Sequence, residues 1–176
     1  MRARLFLLPL APLALVSPAY ATTYLSLAQA QALMFPQTLL TPDFITLSDA
    51  QVGAVEKIAG SRVINRELRA WRAADGGWFI TDGVFGKHEL IGYAIALDAK
   101  GTIRQVEILD YRESYGGEVR MPAWRRQFVG KDDQSSLTLD DDIKNISGAT
   151  LSCTHLTEGI KRLMAIYATV LAPHPG

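Results

Sequence analysis

Ser147, Gly148, Ala149 and Thr150 are four small residues directly ahead of a stretch whose apolar side chains, Leu156, Ile160, Leu163, Met164, Tyr167 and Leu171, recur at spacings of three and four. That spacing predicts an amphipathic helix. A helix N-terminus offers unpaired N–H groups and the positive end of the peptide dipole, which together favour phosphate. Small side chains let a phosphate approach the backbone, and a hydroxyl at that point can hold it covalently. The same tetrapeptide has a plain structural use as well, with Ser147 as N-cap and Gly148 supplying an unusual backbone angle.

The elements that must position these residues are legible in outline. The chain has 176 residues, 48% hydrophobic and 20% charged, enough for one core of useful size. Arg2 and Arg4 precede an apolar run from Leu5 to Val16 and the small-residue segment SPAYA, the pattern of a secretory signal cleaved after Ala21. A dozen apolar residues fall short of the roughly 20 of a membrane span, so the mature chain is expected to be exported, periplasmic or otherwise outside the cytoplasm, and not membrane-spanning.

Residues 22–60 read as an N-terminal helical segment. Ser26 is a candidate cap for a short helix with Leu27, Ala30, Leu33 and Met34 on one face before Pro36. Ser48 and Gln51 form a capping box for a second, with Val52, Val55 and Ala59 as its stripe and Gly60 as its stop. Residues 61–172 form the core of the domain. Between Arg62 and Tyr111, alternation and the turns ADGG (Ala74 to Gly77) and DAKG (Asp98 to Gly101) predict an antiparallel meander of four or five strands. The period slips near Gln105, and Gly83, Gly86 and Gly92 are candidate bends or bulges. A loop-rich stretch then leads to the final helix. The expected class is α+β, a single domain with helices packed on an antiparallel sheet.

Several functions are excluded or unsupported. Removing Arg2 and Arg4 from the 18 basic residues leaves 16 against 18 acidic, a formal charge near −2 with both signs interspersed, which gives no footprint for nucleic acid. The one cysteine, Cys153, allows no internal disulfide and no CxxC metal or haem motif. No cluster has metal-ligand spacing, so no metal is expected, and no G-x-G-x-x-G fingerprint supports direct nicotinamide binding.

The segment SGAT followed by Leu151 and Ser152 resembles the attachment motif of FMN-binding domains. Such domains occur in the sodium-translocating NADH:quinone reductase, in the Rnf complex and in smaller secreted relatives. Two further segments carry the resemblance in the family's order. Glu113, Ser114, Tyr115, Gly116 and Gly117 stand where the family has an E-T-P-G-like turn, with Tyr115 in place of proline. Gln127, Phe128, Val129, Gly130 and Lys131 match its Q-F-x-G-K segment. The family's usual aspartate three residues before the motif serine is Lys144 here, with Asp142 further upstream.

The resemblance implies FMN joined through its phosphate to Thr150. Ser147, Gly148, Ala149, Leu151 and Ser152 would surround the phosphate, and the Glu113–Gly117 turn would lie near the ring or ribityl chain. Phe128 or Trp124 could stack on the ring or anchor their loop, and Lys131 could offset flavin charge or sit in solvent. A threonine hydroxyl is a weak nucleophile, and nothing beside Thr150 in the sequence activates it, so attachment implies a separate magnesium-dependent flavin transferase acting on FAD. The expected role is electron transfer with a membrane or periplasmic redox partner and no catalytic residues of its own. A flavin-dependent reductase of a small substrate or metal complex, and a non-redox assembly module, are the alternatives. Cys153 and His155 are each more simply read as structural residues than as redox or ligand groups.

Overall fold

The structure, a computed structural model, describes residues 22–172. The expected signal segment and its cleavage position lie outside them. Strands β4 (Glu67–Ala73), β5 (Trp78–Phe85), β6 (Leu90–Leu97) and β7 (Ile103–Tyr111) form the antiparallel meander. Short pieces extend it: β1 (Thr22–Thr23) pairs with β7, while β2 (Leu40–Pro42) and β3 (Ile45–Thr46) both pair with β4. Sequence alternation shows only the four long strands, because two or three residues cannot display a period.

The slip near Gln105 is a register shift. Ala96 faces Gln105 but Leu97 faces Ile103, so Arg104 is the extra residue. A second shift falls at Gly92, which faces Asp110 while Tyr93 faces Ile108. The skipped residue, Leu109, turns its carbonyl to the N–H groups of Tyr24 and Leu25 and so ties the start of the domain to β7.

Strand alternation sends side chains to two faces. Trp71, Ala73, Phe79, Ala94 and Ala96 meet Ala30, Met34 and Phe35 of helix α1 (Leu27–Met34) and the residue that ends it. Both N-terminal helices, α1 and α2 (Asp49–Ala59), begin in capping boxes, Ser26 with Gln29 and Ser48 with Gln51. Leu33 departs from the expected stripe of α1: it is exposed, since the helix turns Ala30 and Met34, with the partly buried Leu27, to the sheet.

The other face carries the larger core. Ala70, Ile80, Val84, Tyr93, Ile95 and Ile108 pack with α2 and the long C-terminal helix (Thr150–Ile166), which continues as a π-turn over Tyr167–Leu171. A short turn of helix, α3 (Pro122–Arg125), precedes it in the chain, so the long helix is α4. Leu156, Ile160, Leu163, Met164, Tyr167 and Leu171 are all buried, as their spacing predicts. Helix and sheet approach closely at Gly159, where a Cβ would sit 2.6 Å from Val84 and 2.7 Å from the Tyr93 hydroxyl. A polar cluster bridges the same interface. Asp82 accepts hydrogen bonds from Tyr93 and Arg162, each at 3.0 Å, and the Arg162 side chain is 7% exposed. None of the described helices is long and apolar enough to cross a membrane.

Candidate functional site

Helix α4 starts differently from the two capping-box helices. Its N-cap is Ala149, and no side chain caps it. Ser147 therefore does not fill the capping role that its type and place allowed. Gly148 does adopt the left-handed angle, at φ +87°, with open space around it. The helix therefore starts at Thr150, two residues later than a serine cap at Ser147 would have started it. The first backbone bond into the helix runs from Cys153 N–H to the Ala149 carbonyl at 2.9 Å. The N–H groups of Thr150, Leu151 and Ser152 precede it and have no carbonyl within the helix.

Thr150, the first helical residue, is exposed, and its Oγ accepts from the Asn145 side-chain amide at 3.2 Å. Asn145 is itself fixed, because its other side-chain atom accepts from the Ile146 N–H at 2.8 Å. The segment leading to Thr150 is held from below by two residues of the aromatic segment. Gln127 accepts from the Lys144 N–H and Trp124 donates its indole N–H to the Lys144 carbonyl, both at 2.8 Å.

That arrangement changes the expected role of the Gln127–Lys131 stretch. Phe128 is 0% exposed and lies edge-on to Trp124, ring centres 5.2 Å apart, so neither ring can stack on a ligand. Lys131 is paired with Asp142 at 2.8 Å and does not border the cavity described below. Asp142 also accepts the N–H groups of Leu137 and Thr138. Burial alone would raise its pKa, yet Lys131 and those two N–H groups hold it below the ordinary value. The segment acts as scaffold for the stretch that leads to Thr150, with Asp142 organising the loop that precedes it.

Above Thr150 lies a cavity of about 490 Å³, within the usual range of small-molecule sites. Gly148, Ala149, Thr150, Leu151 and Ser152 line one side, and Glu113, Ser114, Tyr115 and Gly116 another. The structure thus brings together two segments more than thirty residues apart in sequence. Ser147 lies outside this lining, and Gly117 borders an adjoining cavity of about 650 Å³ instead. The Glu113–Gly116 turn and Gly148 form the partition between the two cavities.

The turn and the helix are fitted to each other at Gly116, which is left-handed at φ +80°. A Cβ there would stand 2.8 Å from Ser152 Oγ and 2.9 Å from the Tyr111 hydroxyl, so only glycine permits this approach. Tyr111 closes the joint: its hydroxyl donates to the Tyr115 carbonyl and lies 3.0 Å from Ser152 Oγ, which then donates to it. Burial pushes the Tyr111 phenol above its ordinary pKa, so it remains a donor at neutral pH.

The cavity's third wall is the loop between β5 and β6, with Lys87, His88 and Glu89, and Arg112 completes it. Nothing in the sequence pattern marks these residues, since only the pairing of β5, β6 and β7 carries the loop to the helix end. Glu113 fastens it, accepting the N–H groups of His88 and Glu89. Burial would raise the Glu113 pKa, but the N–H groups of Glu89, His88 and Lys87 outweigh it and hold the carboxyl below its usual value. Lys87, His88 and Arg112 put basic groups on the rim, which suits an anionic ligand.

Cys153 and His155 have structural surroundings. Cys153 is 0% exposed, and burial raises its thiol pKa. His155 places Nδ1 3.1 Å from the Gly86 carbonyl, linking α4 to the β5–β6 loop. No group of three or more potential metal ligands occurs among the described residues. No curated protein matches the chain significantly. Residues 86–165 match the family model for the FMN-binding domain.

Proposed function

We propose that the protein is an exported electron-transfer flavoprotein carrying FMN as a phosphoester on Thr150, a reading supported by the match of residues 86–165 to the family model for the FMN-binding domain. The observation that supports this most directly is the position of Thr150. Its hydroxyl is exposed at a helix end without a side-chain cap, in a cavity of ligand size, with the small residues Gly148 and Ala149 just before it. A phosphate there would receive the free N–H groups of the first turn and the dipole, while Gly148 leaves space for its oxygens.

Among the described residues no acidic or basic side chain is hydrogen-bonded to the Thr150 hydroxyl. Asn145 donates to its oxygen and orients it but cannot take its proton. Attachment therefore needs a transferase. In the balanced step, Thr150 Oγ bonds to the FMN phosphorus of FAD, the phosphoanhydride P–O bond breaks, AMP leaves, and the hydroxyl proton passes to a base of the transferase with its magnesium ion. Flavin held through phosphate keeps its ring unmodified and is retained outside the cytoplasm without a deep pocket. The ring would supply one- or two-electron redox chemistry; this chain's residues hold it, shape its surroundings and leave an open side for a membrane or periplasmic partner.

Intact mass of the chain produced with a flavin transferase, magnesium and FAD tests the assignment. The expected increment is FMN less water in the native chain and none in Thr150→Ala. An unmodified native chain would favour a non-redox assembly module, and a modified Thr150→Ala variant would move the bond elsewhere.

A further inference from the structure

Tyr115 is 85% exposed, more than any other large hydrophobic side chain among the described residues. Its backbone is nonetheless closely held. The Tyr115 carbonyl accepts the Tyr111 hydroxyl, Gly116 beside it is wedged against Ser152 and Ala149, and Glu113 two residues earlier anchors the neighbouring loop. An aromatic ring left in water on a fixed support forgoes the stabilisation of roughly 25 cal/mol per Å² that burial would bring. Its position explains the exposure: Tyr115 stands on the partition between the two cavities, at the mouth of the one that contains Thr150.

The other aromatic candidates are occupied. Trp124 and Phe128 are buried against each other, and Tyr111 is 4% exposed with its hydroxyl engaged. Tyr24 lies beneath the Arg120 guanidinium, 4.4 Å from its ring centre, and borders only the adjoining cavity. Tyr115 is the single phenol on the wall of the cavity that holds Thr150.

We propose that Tyr115 stacks on the isoalloxazine ring of FMN tethered at Thr150. The inference rests on the functional reading above. Offset stacking of two planar aromatic systems needs no pre-formed slot, which matches a cavity open on one side and a side chain free to turn about a fixed backbone. A phenol stacked on flavin also gives an optical signature, because it donates an electron to the excited ring and quenches its emission.

The test uses the full chain, loaded by transferase, magnesium and FAD, with incorporation measured by intact mass in the native chain, Tyr115→Leu and Tyr115→Phe. Flavin fluorescence lifetimes and visible circular dichroism are then compared at equal loading. Native protein should show a dominant short lifetime, and Tyr115→Leu should lengthen it severalfold while weakening the dichroic bands. Tyr115→Phe should lengthen the lifetime yet keep the bands, since phenylalanine stacks but is a poor electron donor. Equal lifetimes in the native chain and Tyr115→Leu, with FMN present in both, would overturn the role of Tyr115 alone. A native chain without covalent FMN would overturn the Thr150 assignment and the stacking together.

Discussion

Replacing Gly116 with alanine should loosen the joint between the Glu113–Gly117 turn and the start of α4. The new Cβ would meet Ser152 Oγ at 2.8 Å and the Tyr111 hydroxyl at 2.9 Å, neither of which is a flexible chain end. Holding a non-glycine residue at φ +80° costs about 1–2 kcal/mol. Losing the Tyr111–Ser152 hydrogen bond adds about 0.5–1.5 kcal/mol. Together these give about 2–3 kcal/mol, which for a domain of this size lowers Tm by roughly 5–10 °C. Thermal and urea unfolding followed by circular dichroism should show that loss with an unchanged m-value. Ser152→Ala removes one of the clashing atoms, so Gly116→Ala should cost about 0.5–1 kcal/mol less in that background. A Tm within about 2 °C of the native value, or full additivity of the two changes, would refute the idea that this contact requires glycine.

Four other outcomes are expected. Trp124→Phe keeps the ring but removes the N–H that holds the Lys144 carbonyl; it should cost about 1–2 kcal/mol in urea unfolding and slow flavin incorporation at Thr150 without abolishing it. Arg162→Met leaves Asp82 with Tyr93 alone at the helix–sheet interface and should cost about 2–4 kcal/mol, most of it recovered when Asp82→Leu is added. Glu113 and Asp142 have folded pKa values below their ordinary 4.5 and 3.8, so their contribution is present above those values and lost as pH falls through the lower folded ones; a Tm-against-pH series should show a shallower acid limb in Glu113→Gln and Asp142→Asn. Cys153, with its thiol buried and its pKa raised, should resist alkylation near neutral pH and become labelled in step with global unfolding when both are followed in urea.

The parts of this fold that were legible in the sequence are those governed by local rules. Ser48 with Gln51, the stripe from Leu156 to Leu171 and the alternation in β4–β7 each state a period or a cap within a dozen or so residues. Even the bulge at Arg104 shows, because an extra residue shifts every later side chain to the other face. The site was half legible. Its two walls, Glu113–Gly116 and Gly148–Ser152, were marked by small residues and by resemblance to a family, but their contact depends on the exit of β7 meeting the start of α4. Phe128 shows the limit clearly: an aromatic in a glycine-rich loop gives no local signal of which way it points, and here it points into the core. Lys87, His88 and Glu89 had no signal at all, since a hairpin tip acquires meaning only from what lies opposite.

The short strands have a consequence for the behaviour of the whole molecule in company. All four long strands are interior to the sheet; its outer positions belong to the two residues of β1 at one side and to β2 and β3 at the other, where β2 ends in Pro42. Such fragments are too short to template another chain, and proline removes a donor from the exposed rim. Detaching β1 would uncover the end of the nine-residue β7 next to the turn that lines the Thr150 cavity. The few residues before α1 thus guard against self-association, and a chain shortened to Leu25 is expected to pair strand to strand with its own copies long before its core gives way.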